Sequence, residues 1–467
     1  MPVEVRPTAR EFASDIENNE KDRGSEHPDC WMSLQRIGYY SAMVRVPLTF
    51  AAALAVTAVL VAIREPLLGA QSPEDRAVAA LAAQPAVQAA LNAAKINEPQ
   101  TIEHQVRLTE IPAPSFKEAA RGAEMRRLFQ EAGLQGVRID RAGNVLGERP
   151  GAALHPHVVV AAHLDTVFPE GTNVRVRRSG AVLSAPGIGD DSRGLAVLVA
   201  IARALKEANV QTPGSITFVA DVGEEGLGDL RGMKALFDET LKGTVDRFIT
   251  IDGTGMSVAH TFVGSRRYRV TVKGPGGHSF TDFGLPNPVS ALGRAIARIG
   301  EIQTADSQTT FNVGRIGGGT SVNSIPAEAW MEIDARSGDR TALTALDGQI
   351  QAALDAGVAA EHARWQTTGV LTMTKEMVGD RPAGVTPADS LVVQAALAAT
   401  RVVGAVPFAA ISSSDANYPT SLRIPSVQIG GGGQGADAHA STESFDATDS
   451  WRGTQRALLL AVALAQK

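Results

Sequence analysis

The chain has 467 residues, of which 44% are hydrophobic and 20% charged, with a formal net charge of −6 at pH 7. That length exceeds one compact core, so two or three domains are expected, with ample apolar material to bury a large sheet. The acidic balance and the lack of a long basic run argue against nucleic acid as a partner and leave small molecules as the expected ligands.

The lone cysteine, Cys30, lies upstream of the longest apolar run, Val46–Ile63. Read from Met43, Arg45 supplies a positive start, the apolar run a signal-peptide core, and Leu68-Gly69-Ala70 a small-residue cleavage site before Gln71. On this reading Met1–Ala42 is an over-extended gene start or a patternless leader. Residues 1–72 are then leader plus signal peptide, and the mature, cysteine-free protein is periplasmic or secreted, which suits an oxidising compartment. The same run is near the lower limit for spanning a bilayer, so a retained membrane anchor is the alternative, with a cytoplasmic protein as the third reading.

Pro73–Asn97 carries Ala, Leu and Val at helical spacing and predicts one or two helices. Thr101–Ile111 and Ser115–Ala132 follow as helices around the Pro112-Ala113-Pro114 turn. From Gly136 short apolar runs alternate with helices, notably Leu195–Glu207 and Gly232–Leu241, the pattern of a parallel sheet. Near Ser265 the character changes. Tyr268–Val272 alternates as a strand, Pro288–Gly300 is a helix, Thr310–Ile316 and Ala329–Arg336 are strands, and Arg340–Ala353 is a helix. This order predicts an α+β module inserted at 265–378 into a larger α/β domain formed by 73–264 and 379–467. The larger domain closes with the helix Ser390–Thr400, the strand Ser426–Ile429 and the helix Ala447–Ala465.

The chemistry gathers at strand ends. His163 and Asp165 close the run His157–Ala162, Glu224 and Glu225 follow Ser215–Val222, and Asp252 follows Phe248–Ile251. In an open α/β sheet the carboxyl ends of parallel strands share one edge, so residues distant in sequence converge there. Asp190 and His439 complete a set of two histidines and several carboxylates, the ligand types of a paired-metal hydrolase. Each motif alone is usually a turn or a satisfied polar pair; their joint occurrence at successive strand ends is what points to a metal centre.

Seven motifs in order, His163–Val167, Gly187–Gly194, Glu224–Gly226, Asp252-Gly253, Gly274–Ser279, Gly318–Pro326 and His439–Glu443, make residues from about 98 to 467 resemble the M20 family of metallopeptidases and amidohydrolases. The resemblance implies a zinc-exopeptidase-like catalytic domain with a mostly parallel central sheet and an inserted lid and dimerisation domain. It implies two divalent ions, expected to be Zn2+. His163 and Asp252 would hold one, Glu225 and His439 the other, and Asp190 both. Glu224 would be the general base, and Asp165 the carboxylate that orients His163 through its second ring nitrogen. In the lid, His278 would reach across a homodimer to stabilise the tetrahedral intermediate, while Asn323 and Arg336 would bind polar groups of the substrate. One departure is Asp190-Asp191-Ser192-Arg193, where many members carry a lysine two positions after the bridging aspartate. Gly430–Gly433 and Ser412–Asn417 are expected to shape the substrate cleft.

The leading expectation is a zinc-dependent exopeptidase acting on small peptides. A deacylase of N-acyl amino acids is the alternative within the family. A non-catalytic metal- or peptide-binding protein is the remote one, and it would lack Glu224 or a ligand.

Overall fold

The computed structural model describes residues 72–304, 306–365 and 369–466. The proposed signal peptide or anchor and its cleavage site lie outside the described residues. Among the described residues no single helix is long and apolar enough to cross a membrane.

A nine-stranded sheet organises the larger part of the chain. Its order is Gln135–Ile139, Val145–Arg149, Ile216–Asp221, Val158–His163, Arg247–Ile251, Ser426–Ile429, Ser257–Phe262 and Gly384–Val385, with Phe408–Ser412 also paired to Ser257–Phe262. The central four, from Ile216–Asp221 to Ser426–Ile429, are mutually parallel. Val158–His163 and Ile216–Asp221 are buried along their whole length. That is why both read as continuous apolar runs: helices cover both faces. Val158, Val160 and Ala162 pack with Leu195, Leu198 and Leu458, whereas Val159 and Ala161 pack with Leu230, Met233 and Phe237. The alternation places neighbouring residues in two different cores, one on each side of the sheet.

The helices start where capping chemistry permits. Ser72 and Asp75 form a reciprocal cap on Pro73–Ala82, and the second helix, Pro85–Ile96, begins at its own proline. Glu98–Thr109 and Ala119–Glu131 follow. The latter starts later than its apolar spacing suggests, because residues 112–118 form a loop bridged to Thr166. The segment read as the helix Gly232–Leu241 is split, with an α-helical turn at Arg231–Ala235 and a π-helical one at Leu236–Thr240.

Between Gly264 and Arg381 lies a separate four-stranded antiparallel sheet in the order Thr310–Gly318, Glu328–Ser337, Gly264–Lys273, Thr372–Arg381. Glu328–Ser337 alternates strictly in burial. Its inward residues Met331, Ile333 and Ala335 pack with Leu292, Leu346 and Leu354 from the helices Pro288–Gly300 and Arg340–Trp365. The second helix runs past Ala353 to Trp365 despite Gly357. A Cβ at Gly357 would lie 2.6 Å from the backbone nitrogen of Ala295, so the glycine marks close helix contact rather than a helix end.

Candidate metal centre

The parallel strands deliver their carboxyl ends to one edge. Val158–His163 ends in His163, Ile216–Asp221 leads into Glu224 and Glu225, and Arg247–Ile251 leads into Asp252. Asp190 sits in the turn before helix Ser192–Glu207. That turn is clamped by Glu443, whose carboxylate accepts from the N–H groups of Gly187 at 2.7 Å, Gly189 at 2.8 Å and Asp190 at 3.0 Å. Asp191 caps the helix by accepting from the N–H of Gly194 at 3.0 Å and also accepts from the N–H of His163 at 3.2 Å, joining turn to strand.

Asp190 stands between two histidines. Its Oδ1 lies 2.9 Å from His163 Nε2 and its Oδ2 lies 3.0 Å from His439 Nε2. His439 Nε2 is also 3.0 Å from Glu225 Oε1. Two groups of donor atoms, each within 4.8 Å of one another, follow: His163, Asp190 and Asp252, and Asp190, Glu225 and His439. Asp190 belongs to both. A third group, His163, Glu224 and Glu225, overlaps them. Two imidazoles and several carboxylates at this spacing fit a pair of first-row divalent ions held by mixed nitrogen and oxygen donors.

The electrostatics agree with that fit. Burial pushes Asp252 well above the usual carboxylate range, and the neighbouring Asp190 charge adds to it. Glu225 is pushed up to about 7 by burial and by the Glu224 and Asp190 charges, against the opposing bond from His439. His439 rises to about 10 through its bonds to Asp190 and Glu225. Burial opposes charge on His163, but Asp190 and Asp191 outweigh it and raise the imidazole well above its ordinary value. Carboxylates crowded in a buried site favour any added positive charge, and protons occupy the place that a cation would take.

Several expectations need revision at the level of contacts. The second ring nitrogen of His163 faces the backbone carbonyl of Asp165 at 3.0 Å, and the Asp165 carboxylate is 3.8 Å away. The carboxylate instead accepts from the N–H groups of Gly223, Glu224 and Glu225, each at 3.0 Å, and from Ser115 Oγ at 2.7 Å. Asp165 therefore orients His163 through its main chain and holds the glutamate turn with its side chain. Arg336 is ion-paired to Asp334 on its own strand at 2.7 Å. His278 and Asn323 are exposed and lie in one backbone knot, where His278 pairs with Ser324 and Ser279 N–H donates to the Asn323 carbonyl at 3.0 Å. Asn417 ties the two connections of the inserted sheet together: its Nδ2 donates to the carbonyls of Val263 at 2.8 Å and Pro382 at 2.9 Å, where the chain enters and leaves that sheet.

One residue at the site gave no sequence signal. Arg381, the last residue of the inserted sheet, is buried against Glu224, with Nη1 2.6 Å from Oε1 and Nη2 on the Glu224 carbonyl. Nη1 also reaches Ser413 Oγ at 3.2 Å. Neither periodicity nor motif spacing connects residues 157 positions apart.

The architecture is that of solved M20 peptidases. A tripeptidase from Staphylococcus aureus superposes with a TM-score of 0.65 at 22% identity, covering 79% of this chain and 98% of that one. The YXEP protein of Bacillus subtilis, described as a dinuclear metal binding peptidase from the M20 family, superposes at 0.59 with 18% identity, covering 79% and 98%. In sequence, succinyl-diaminopimelate desuccinylase of Corynebacterium glutamicum is 26% identical over 238 residues, 49% of this chain and 64% of that protein. The model of Peptidase family M20/M25/M40 matches residues 159–463. The chain belongs to that family.

Proposed function

We propose that the protein is a zinc-dependent exopeptidase that hydrolyses the amide bond of small peptides. The observation that carries the reading is Asp190, whose two carboxylate oxygens each meet a histidine of a different donor group. His163, Asp190 and Asp252 would hold one ion and Asp190, Glu225 and His439 the other. When bound, such a pair polarises the scissile carbonyl and makes water a better nucleophile near neutral pH.

The remaining work falls to side chains. Glu224 takes a proton from the water as its oxygen adds to the carbonyl carbon, then delivers that proton to the amine nitrogen as the C–N bond breaks. Asp165 fixes the main chain of residues 223–225 by three hydrogen bonds, and Arg381 fixes the Glu224 carboxylate. In the lid, His278 would reach the substrate from the partner subunit of a homodimer, Asn323 would bind polar groups of the substrate, and Arg336 would exchange Asp334 for a substrate carboxylate. The enzyme would act in the periplasm or outside the cell after cleavage near Ala70.

The test is hydrolysis by the zinc-loaded protein of a panel of dipeptides, tripeptides and N-acetyl amino acids, with metal content measured in parallel. Cleavage of peptides with two ions per chain is expected; two bound ions with no amide cleaved would sink the reading. The desuccinylase relative supports a second reading, N-acyl amino acid deacylase, which predicts that the N-acetyl substrates are preferred. Dimer sharing is tested by mixing His278→Ala and Glu224→Gln chains through unfolding and refolding, where recovered activity is expected.

A further inference from the structure

The loop before helix Ala119–Glu131 holds an aromatic ring in an unusual way. Phe116 has φ 72, a left-handed conformation that side chains of its bulk rarely adopt, and the residue is 62% exposed. An exposed phenylalanine in that conformation gains little from burial to offset its backbone cost, which is of the order that accumulates at functional sites. The surroundings hold it there. Its N–H donates to Glu118 Oε1 at 2.9 Å, and the ring lies under the guanidinium of Arg231, 4.9 Å from the ring centre. Arg231 is in turn paired to Glu118 Oε2 at 2.8 Å, with Glu118 itself buried.

This loop is bonded to the metal centre. Ser115 Oγ donates to the Asp165 carboxylate at 2.7 Å and lies 3.1 Å from the Glu225 carbonyl, while Thr166 N–H donates to the Ala113 carbonyl at 2.9 Å. The Arg231 guanidinium packs against Gly223, one residue before Glu224; a Cβ on that glycine would collide with it. Two further apolar side chains stand exposed on the tied loops. Val167, 39% exposed, lies two residues beyond Asp165, and Leu227, 56% exposed, lies two residues beyond Glu225. Phe116, Val167 and Leu227 are thus exposed apolar side chains on segments tied by hydrogen bonds to the donor residues, and apolar groups beside a polar centre are what a ligand site offers.

We infer that Phe116, with Val167 and Leu227, forms an apolar subsite beside the metal centre, so that the preferred substrate carries a bulky apolar side chain or acyl group next to the scissile amide. The inference rests on the proposed amide hydrolase and names its substrate class. Phe116 is a specificity residue in this account, and glycine at the same position satisfies the backbone without the ring.

The experiment compares binding of phenylalanine hydroxamate and glycine hydroxamate to the zinc-loaded wild type and to Phe116→Gly by calorimetry. Both probes offer the same chelating group, so the ratio of their affinities reports the apolar contact and needs no turnover. The wild type should bind the phenylalanine probe on the order of 10-fold more tightly, and Phe116→Gly should lose most of that preference. Leu227→Ser should reduce it in the same direction. The thermal midpoint of Phe116→Gly should be equal to or above that of the wild type, because the strained position is relieved. Equal binding of the two probes by the wild type, an unchanged ratio in both variants, or a marked fall in the midpoint of Phe116→Gly would each overturn the inference. Failure of the amide panel with a preserved hydroxamate preference would instead overturn the proposed activity and leave the subsite standing.

Discussion

The candidate metal centre and the inserted sheet use the same charged residue types in opposite ways. On the outer face of the inserted sheet acids face cations across the strands. Arg269 pairs with Glu332 at 2.7 Å, Arg267 with Asp334 at 2.9 Å, and Arg315 also with Glu332 at 2.9 Å. Antiparallel register places those residues opposite one another on one face, where cross-strand charge pairing is modestly favourable. At the edge of the large sheet, parallel strands bring acid beside acid instead. Asp190, Glu225 and Asp252 are gathered with two histidines, and burial drives Asp252 and Glu225 upward in pKa. The first arrangement is complete within the chain. The second has a charge imbalance that divalent ions would correct, and that difference separates a structural surface from a site.

The largest expected effect is kinetic. Glu224→Gln keeps the size of the side chain and removes its capacity to accept a proton, so turnover should fall by roughly 100-fold to 10,000-fold while metal content stays at the wild-type level. Near-normal turnover with full metal occupancy would transfer the role of base to another residue.

Stability sharpens the contrast next. Arg381 and Glu224 are both nearly inaccessible, at 5% and 6% side-chain exposure. Arg381→Met leaves a buried carboxylate without its cation and should cost about 3–5 kcal/mol in denaturant unfolding of the ion-free protein. Arg315→Met removes a partner that is 67% exposed from a glutamate that also pairs with Arg269, so the loss should be no more than about 1 kcal/mol. Similar losses in the two variants would erase the distinction drawn between the regions.

The two regions should also respond oppositely to pH. In the ion-free protein Glu225 sits at about 7 against an ordinary 4.5, and His439 at about 10 against 6.5. Both hold protons more tightly folded than unfolded. The stability they lend is therefore full below their ordinary values and lost as pH rises through the folded ones. Asp334 behaves in reverse. Burial would raise it, but the bonds from Arg336 and Arg267 outweigh burial and lower it from 3.8. Its contribution is present above 3.8 and is lost as pH falls through the lowered value. The gap in thermal midpoint between zinc-loaded and ion-free protein should widen from about pH 5 to about pH 9, because ion binding must displace those protons. A gap that is constant or narrows with rising pH would separate the ions from this cluster. At neutral pH, zinc at 100 times its dissociation constant should stabilise the fold by about 2.7 kcal/mol, lost on chelation.

Much of this is legible in the sequence. The runs ending at His163, Val222 and Ile251 are short and apolar without alternation, the pattern of strands covered on both faces, which in α/β proteins are mostly parallel and share an edge. The inserted sheet was equally legible, because Glu328–Ser337 alternates with period two. Ser257–Phe262 and Phe408–Ser412 were not, since each pairs near the edge of the large sheet and is only partly buried, so neither carries a clean pattern. The glutamate turn was legible as chemistry but not as geometry. Nothing local to Asp165 distinguishes a carboxylate turned toward His163 from one that accepts three N–H groups of the neighbouring loop.

The sequence by itself carried the alternation of apolar strands with helices, the change of pattern near Ser265 and the acids and histidines at strand ends, because these depend on periodicity and on residue type. Only the tertiary structure decided which groups meet. It placed Arg381 on Glu224, set Glu443 on the amides of the Asp190 turn, turned Asn417 to the two connections of the inserted sheet and paired Arg336 with Asp334. The physical reason is range: burial and alternation are recorded residue by residue along the chain. A hydrogen bond between positions such as Gly187 and Glu443, separated by 256 residues, exists only once the sheet has brought their loops to one edge.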